Sequence, residues 1–152
     1  MELDRIDRHI LNLLQQDNSI TNAHLAERVG LSPPACLQRV RRIRSSNLIR
    51  ADVSLLEPTL VGHALTMIVE IEMERDRPEL FQRFSRSVEG AGEVTQCYQV
   101  TGEVDVVLVV SVPDMQAFES FVQRVIYADP NVRKFRTLIS LKRTKFETAI
   151  AL

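Results

Sequence analysis

One residue separates a helix stop from a helix start. Leu25, Ala26 and Val29 recur at helical spacing, and Gly30 follows where a left-handed C-terminal residue is needed. Ser32 is then an N-cap, with Pro33 at the first helical position, where a missing N–H costs nothing. With only Leu31 between them, these helices must meet at a tight turn. Upstream, Asp4 caps a run in which Ile6, Ile10, Leu13 and Leu14 form one buried face, ending near Asn18, and Thr21 caps the second helix. The pattern is helix, helix, tight turn, helix.

The third helix carries its polarity on one side. At about 100° per residue from Cys36, Val40 and Ile43 fall within about 40° of it, while Pro34, Gln38, Arg41 and Arg42 lie roughly opposite. Between Ser32 and Arg50 stand Arg39, Arg41, Arg42, Arg44 and Arg50, with no Asp or Glu among them. The whole chain has 19 basic and 20 acidic residues and a net charge of −1, which excludes a uniformly basic nucleic-acid coat. Phosphate must therefore be met by a local patch. A solvated surface helix is the plain alternative, but the tight turn ahead of this helix favours recognition of double-stranded DNA in the major groove. Gln38, Arg41 and Arg42 then face base edges or phosphates beside Pro34, with Ser32, Arg39 and Arg50 as backbone contacts. Asn47 can end the helix in the left-handed region, and Ile49 to Leu55 read as a short strand or wing.

After this the period changes. Leu65, Met67, Val69 and Ile71 alternate with Thr66, Ile68, Glu70 and Glu72, a strand with one wholly apolar face. Asp76 and Glu79 resemble a capping box, ahead of Leu80, Phe81, Phe84 and Val88 at helical spacing and a stop at Gly90 and Gly92. Strands over Val94–Thr101 and Val106–Val110 flank the turn Gly102-Glu103-Val104-Asp105. Asp114 caps a helix with Phe118, Phe121, Val122 and Val125, and a last strand runs from Val132 to Lys142. This βαββαβ order is the ferredoxin-like arrangement, with both helices on one face of an antiparallel sheet. Its third strand is apolar on the bare side too, which predicts a dimer of packed sheets. An RNA-recognition domain shares the order but needs stacking aromatics on that strand, and none is present.

Catalysis finds little support. His9, His24 and His63 stand apart, and no phosphate loop or metal-ligand spacing occurs, so neither an enzyme nor a cofactor is expected. Cys36 and Cys97 form no CxxC, which suggests no disulfide framework or zinc site. The charged start Met1-Glu2-Leu3-Asp4, and the lack of an apolar run near the ~18–20 residues of a span, predict a cytoplasmic protein without a membrane segment.

These residues resemble the Lrp/AsnC (leucine-responsive regulator, feast/famine) family of transcription factors. The resemblance rests on Leu3-Asp4-x-Ile6-Asp7 with Ile10-Leu11, on Leu25-Ala26-x-x-Val29-Gly30-Leu31-Ser32-Pro33, and on Cys36-Leu37-x-Arg39-Val40. It continues through Val100-Thr101-Gly102-x-x-Asp105 and Val112-Pro113-Asp114-Met115. It implies an α+β chain: a winged helix–turn–helix over residues 1–50, a linker strand over 51–62, and a ferredoxin-like sensing and oligomerisation domain over 63–152. A regulator that binds a pseudo-palindromic operator is implied, as a homodimer assembling to a tetramer or octamer with a small molecule, most often an amino acid, between dimers. By position in the family pattern, the effector meets Thr101, Gly102, Glu103, Val104 and Asp105, with Met115, Leu138 and Ser140 as further pocket residues. Freed N–H groups at the glycine turn suit a carboxylate, and Asp105 suits an ammonium. Where the family commonly has Gly-Asp-x-Asp followed by an aromatic, this chain has Glu103 and Val106.

Overall fold

Asp4 and Asp7 start the chain's first helix together. Asp4 accepts from the Asp7 N–H at 2.8 Å and Asp7 accepts from the Asp4 N–H at 3.3 Å, a reciprocal capping box that fixes α1, Arg5–Gln16. Thr21 caps α2, Asn22–Val29, and Gly30 ends it at φ +70°. Ser32 has N-cap geometry before α3, Pro33–Ser45, with Pro33 and Pro34 opening the helix. Asn47 is left-handed at φ 60°, as its position predicts. Ile10, Leu13, Leu25, Cys36 and Ile43 bury between the three helices, each large side chain contributing about 1.5–3 kcal/mol.

The computed structural model describes residues 2–152 as two compact units. Residues up to Leu55 form one with Thr144–Leu152, and Leu56–Arg143 form the other. No strand forms between α3 and Leu65: the expected wing over Ile49–Leu55 and the linker strand over 51–62 are absent within the chain, and a 3-10 helix occupies Pro58–Val61. Most residues here are exposed, Val53 at 71% and Leu55 at 60%, and chain without a ladder partner is not sheet.

The second unit is a sheet of order β2-β3-β1-β4, every neighbour antiparallel. It comprises β1 (Leu65–Met73), α4 (Pro78–Glu89), β2 (Val94–Gln99), β3 (Val106–Val112), α5 (Met115–Phe121) and β4 (Val132–Ile139). The βαββαβ expectation holds in order and topology. Met67, Val69, Ile71, Val106, Leu108, Val110 and Val112 bury against Phe84, Phe121 and Ile126. Details differ from the sequence reading. Asp76 does not cap α4, because Arg77 takes the N-cap position and Pro78 the first turn. Strand β3 extends to Val112, and β2 and β4 stop at Gln99 and Ile139. Helix α5 continues into a π-turn over Val122–Ile126. Among the described residues, no helix is long and apolar enough to cross a membrane.

Candidate DNA and effector sites

Helix α3 sorts its arginines by direction. Pro34, Gln38, Arg41 and Ser45 fall within an arc of about 60°, and all are exposed. Arg42 and Arg39 lie successively further round the helix and reach Asp7, whose carboxylate is 1% exposed. Arg39 donates from Nη1 to Asp7 at 2.9 Å and to Asp4 at 2.6 Å, and Arg42 donates from Nη2 to Asp7 at 2.6 Å. The Arg39 guanidinium, helped by the Asp7 N–H, holds the Asp4 carboxyl below its usual range, and the two carboxylates raise Arg39 in turn. On the other flank Arg44 pairs with Asp52 and donates to Asn18 at 3.2 Å.

The basic patch is therefore smaller than its composition. Arg41 and Arg50 are exposed and have no acidic partner among the described residues; Arg39, Arg42 and Arg44 are engaged within the unit. Ser32 is exposed and makes no side-chain cap bond. Asn22 Nδ2 donates to the Pro33 carbonyl at 2.9 Å, fixing the start of α3 against α2. The sequence motif includes Asp7 but does not give its pairing role, although the residue lies on the apolar stripe of α1 between Ile6 and Ile10. An acid on that stripe requires a cationic partner, and Arg39 and Arg42 supply it from α3.

The turn before β3 is closed by the Val100 N–H donating to the Asp105 carbonyl at 2.9 Å. Gly102 adopts φ +122°, a conformation open in practice to glycine, and nothing lies within 4 Å of a built Cβ. Half-buried Asp105 accepts from the Met73 N–H at 2.6 Å through Oδ2. The main-chain N–H groups of Thr101, Gly102, Glu103 and Val104 make no hydrogen bond among the described residues, so the turn presents donors.

The other expected effector residues are elsewhere. Ser140 donates its N–H to the Thr66 carbonyl and Leu138 pairs with Ile68, whereas Asp105 sits beside Ile71 and Met73. Along β1, at ~3.3 Å per residue, this places Ser140 about 16 to 23 Å and Leu138 about 10 Å or more from Asp105. Met115 follows Val112 at the Leu65 end and lines a groove with Phe118, Val122, Tyr127 and Phe135. One chain does not bring the turn and these residues together.

Two family models cover this architecture: the AsnC-type helix-turn-helix domain matches residues 3–44, and the Lrp/AsnC ligand binding domain matches residues 66–150. The chain belongs to the Lrp/AsnC family. This is a family of transcriptional regulators, not of enzymes, with a helix–turn–helix for DNA and a domain for a small-molecule effector. An uncharacterised helix-turn-helix-type regulator of Sinorhizobium fredii is 41% identical over 99% of this chain and 89% of its own length. The leucine-responsive regulatory protein of Escherichia coli is 39% identical over 95% and 88%. Among solved Lrp/AsnC-like structures, a Neisseria meningitidis transcriptional regulator crystallised with L-Met superimposes at a TM-score of 0.91. It shares 32% identity, covering 98% of this chain and 96% of its own.

Proposed function

We propose that this regulator reads operator DNA as a dimer through the outer face of α3 and changes its binding or assembly when an amino acid occupies the turn at Thr101–Asp105. The observation that carries the reading is the sorting of α3: Gln38 and Arg41 lie uncommitted on one exposed arc, while the neighbouring arginines face Asp7. Gln38 suits a base edge, Arg41 a base or phosphate, and Ser32, Pro34 and Arg50 flank them. Arg39 and Arg42 act here as positioning residues that hold α3 to α1. The protein works in the cytoplasm, where its DNA is.

The dimer follows from the face of the sheet opposite α4 and α5. There Ile68, Val107, Val109, Leu138 and Tyr98 form an apolar strip beside the Glu70–Arg136 pair, where Arg136 Nε donates at 2.7 Å. A patch of this kind marks an interaction surface, and two-fold symmetry then implies paired half-sites. The turn offers donors for a carboxylate and Asp105 an acceptor for an ammonium. Val104 is the adjoining apolar wall, which favours an aliphatic amino acid. The names and contents of two relatives, one leucine-responsive and one crystallised with L-Met, support this class. Because Met115, Leu138 and Ser140 lie far from the turn, a pocket containing both sets needs residues from another copy, as an assembly of dimers supplies.

Selecting bound sequences from random DNA and then titrating the twenty amino acids against the recovered complex tests both halves. Enrichment of a two-fold motif and a response to one apolar amino acid are expected. Failure to enrich any sequence would refute operator reading, and equal affinity for DNA with every amino acid would refute effector control.

A further inference from the structure

The last nine residues, Thr144–Leu152, lie in the helical unit although they follow the sheet in sequence. Gln15 on α1 holds them by both sides of one peptide unit's residue: its Nε2 donates to the Ile150 carbonyl at 2.9 Å, and the Ile150 N–H donates to its Oε1 at 2.7 Å. Asn12, one turn earlier on the same helix face, donates from Nδ2 to the Leu152 carbonyl at 3.2 Å. A side-chain amide that pairs both ways with backbone reads extended conformation and not side-chain identity. The chain therefore crosses between the units twice, at Leu55–Leu56 and at Arg143–Thr144.

Ion pairs mark the crossings. Before the first, Asp52 is held by Arg44 of α3. Just after it, Glu57 accepts from Arg143 at 3.0 Å, and Arg143 is the last residue before the second crossing. The two connections are thus clasped to each other at the sheet unit, and each is anchored again in the helical unit, at Arg44 and at Gln15.

We propose that the C-terminal segment is a working part of the DNA-binding unit, a second tether that couples the sensing domain to α1 in addition to the connection at Leu55–Leu56. A unit joined by one flexible connection can swivel about it; a second anchored connection removes much of that freedom, so a rearrangement of the sheet unit is passed to the helices. Gln15 and Asn12 form the dock, and an extended stretch of the same chain is its occupant.

Hydrogen exchange on the full-length protein reads the dock directly. The Ile150 N–H is expected to be protected in the wild type and to lose about tenfold of that protection in Gln15→Ala, the effect of one hydrogen bond, while α1 and β1 amides keep theirs. In a chain ending at Arg143, backbone relaxation of residues 5–45 should report faster, independent tumbling, with their chemical shifts still those of a folded unit. Gln15→Cys with Ile150→Cys, in a Cys97→Ser background, treated with a short bismaleimide, should crosslink within one chain. An unprotected Ile150 N–H in the wild type, unchanged tumbling in the shortened chain, or crosslinking only between two chains would each overturn the proposal.

Discussion

Arg42 Nη2 lies 2.6 Å from Asp7 Oδ2, and through that bond a half-exposed arginine of the Arg39–Arg50 basic stretch is committed to a buried carboxylate. Arg41, the next residue back, has no such partner. The adjacent arginines should therefore behave oppositely. Arg41→Ala should leave stability unchanged, weaken DNA binding and reduce the slope of log affinity against log salt by about 0.9 if it meets a phosphate. Arg42→Ala should instead lower unfolding free energy by about 1–2 kcal/mol, because Asp7 loses a charged donor. Urea melts and anisotropy titrations at several salt concentrations separate the two; equal effects on DNA binding with no stability difference would contradict the assignment.

The Asp4–Arg39 pair gives the helical unit an acid-sensitive contact. Because the folded Asp4 carboxyl titrates below its usual value near 3.8, its stabilisation is present above that value and disappears as pH falls through the lower, folded one. Arg39, raised from an already high value, stays charged throughout this window. Asp4→Asn keeps a capping oxygen but removes the titration. Its urea midpoint should lie below the wild type's at pH 7, and the two should converge as pH falls through the lowered, folded value. A constant gap across the range would rule the pair out as the cause.

Asp105 has a structural bond and, in the proposed function, a ligand bond, and two substitutions distinguish them. Asp105→Asn retains an acceptor for the Met73 N–H and should keep the melting temperature near that of the wild type while losing amino-acid binding heat. Asp105→Ala loses the acceptor as well and should cost a further ~1–2 kcal/mol of stability. Full ligand heat in Asp105→Asn would move the ammonium site elsewhere.

Gly102 can be tested without touching any contact. With open space around a built Cβ, Gly102→Ala introduces no clash, and its cost is the strain of φ +122°, about 1–3 kcal/mol. Either the turn is strained and the protein melts earlier, or it relaxes and redirects the free N–H groups; both outcomes should reduce effector affinity in calorimetry. A variant that matches the wild type in both measurements would show that the turn geometry is not required.

Val109 faces away from the helices, in the apolar strip. Val109→Lys should shift sedimentation from dimer toward monomer while circular dichroism still reports the sheet. A wild type that sediments as a folded monomer at micromolar concentration would remove the basis of this expectation.

Local patterns carried the elements and their order. The Gly30–Pro33 punctuation set the helix–turn–helix because φ at those positions is decided within one or two residues, and the period-two alternation of Leu65–Ile71 set a buried strand face because side chains alternate along any strand. The same local rules could not supply partners. A wing needs a neighbouring strand, and Ile49–Leu55 has none; Asp76 has the right spacing for a cap, but Pro78 begins the helix one residue later than that cap requires. Only the packing of α1 against α3 showed that Asp7 captures Arg39 and Arg42, since residues more than thirty positions apart meet through tertiary contacts that no helical period encodes. The placement of Thr144–Leu152 beside Gln15 and the separation of Met115 and Ser140 from the Thr101–Asp105 turn were decided in the same way, by where the chain returns in space.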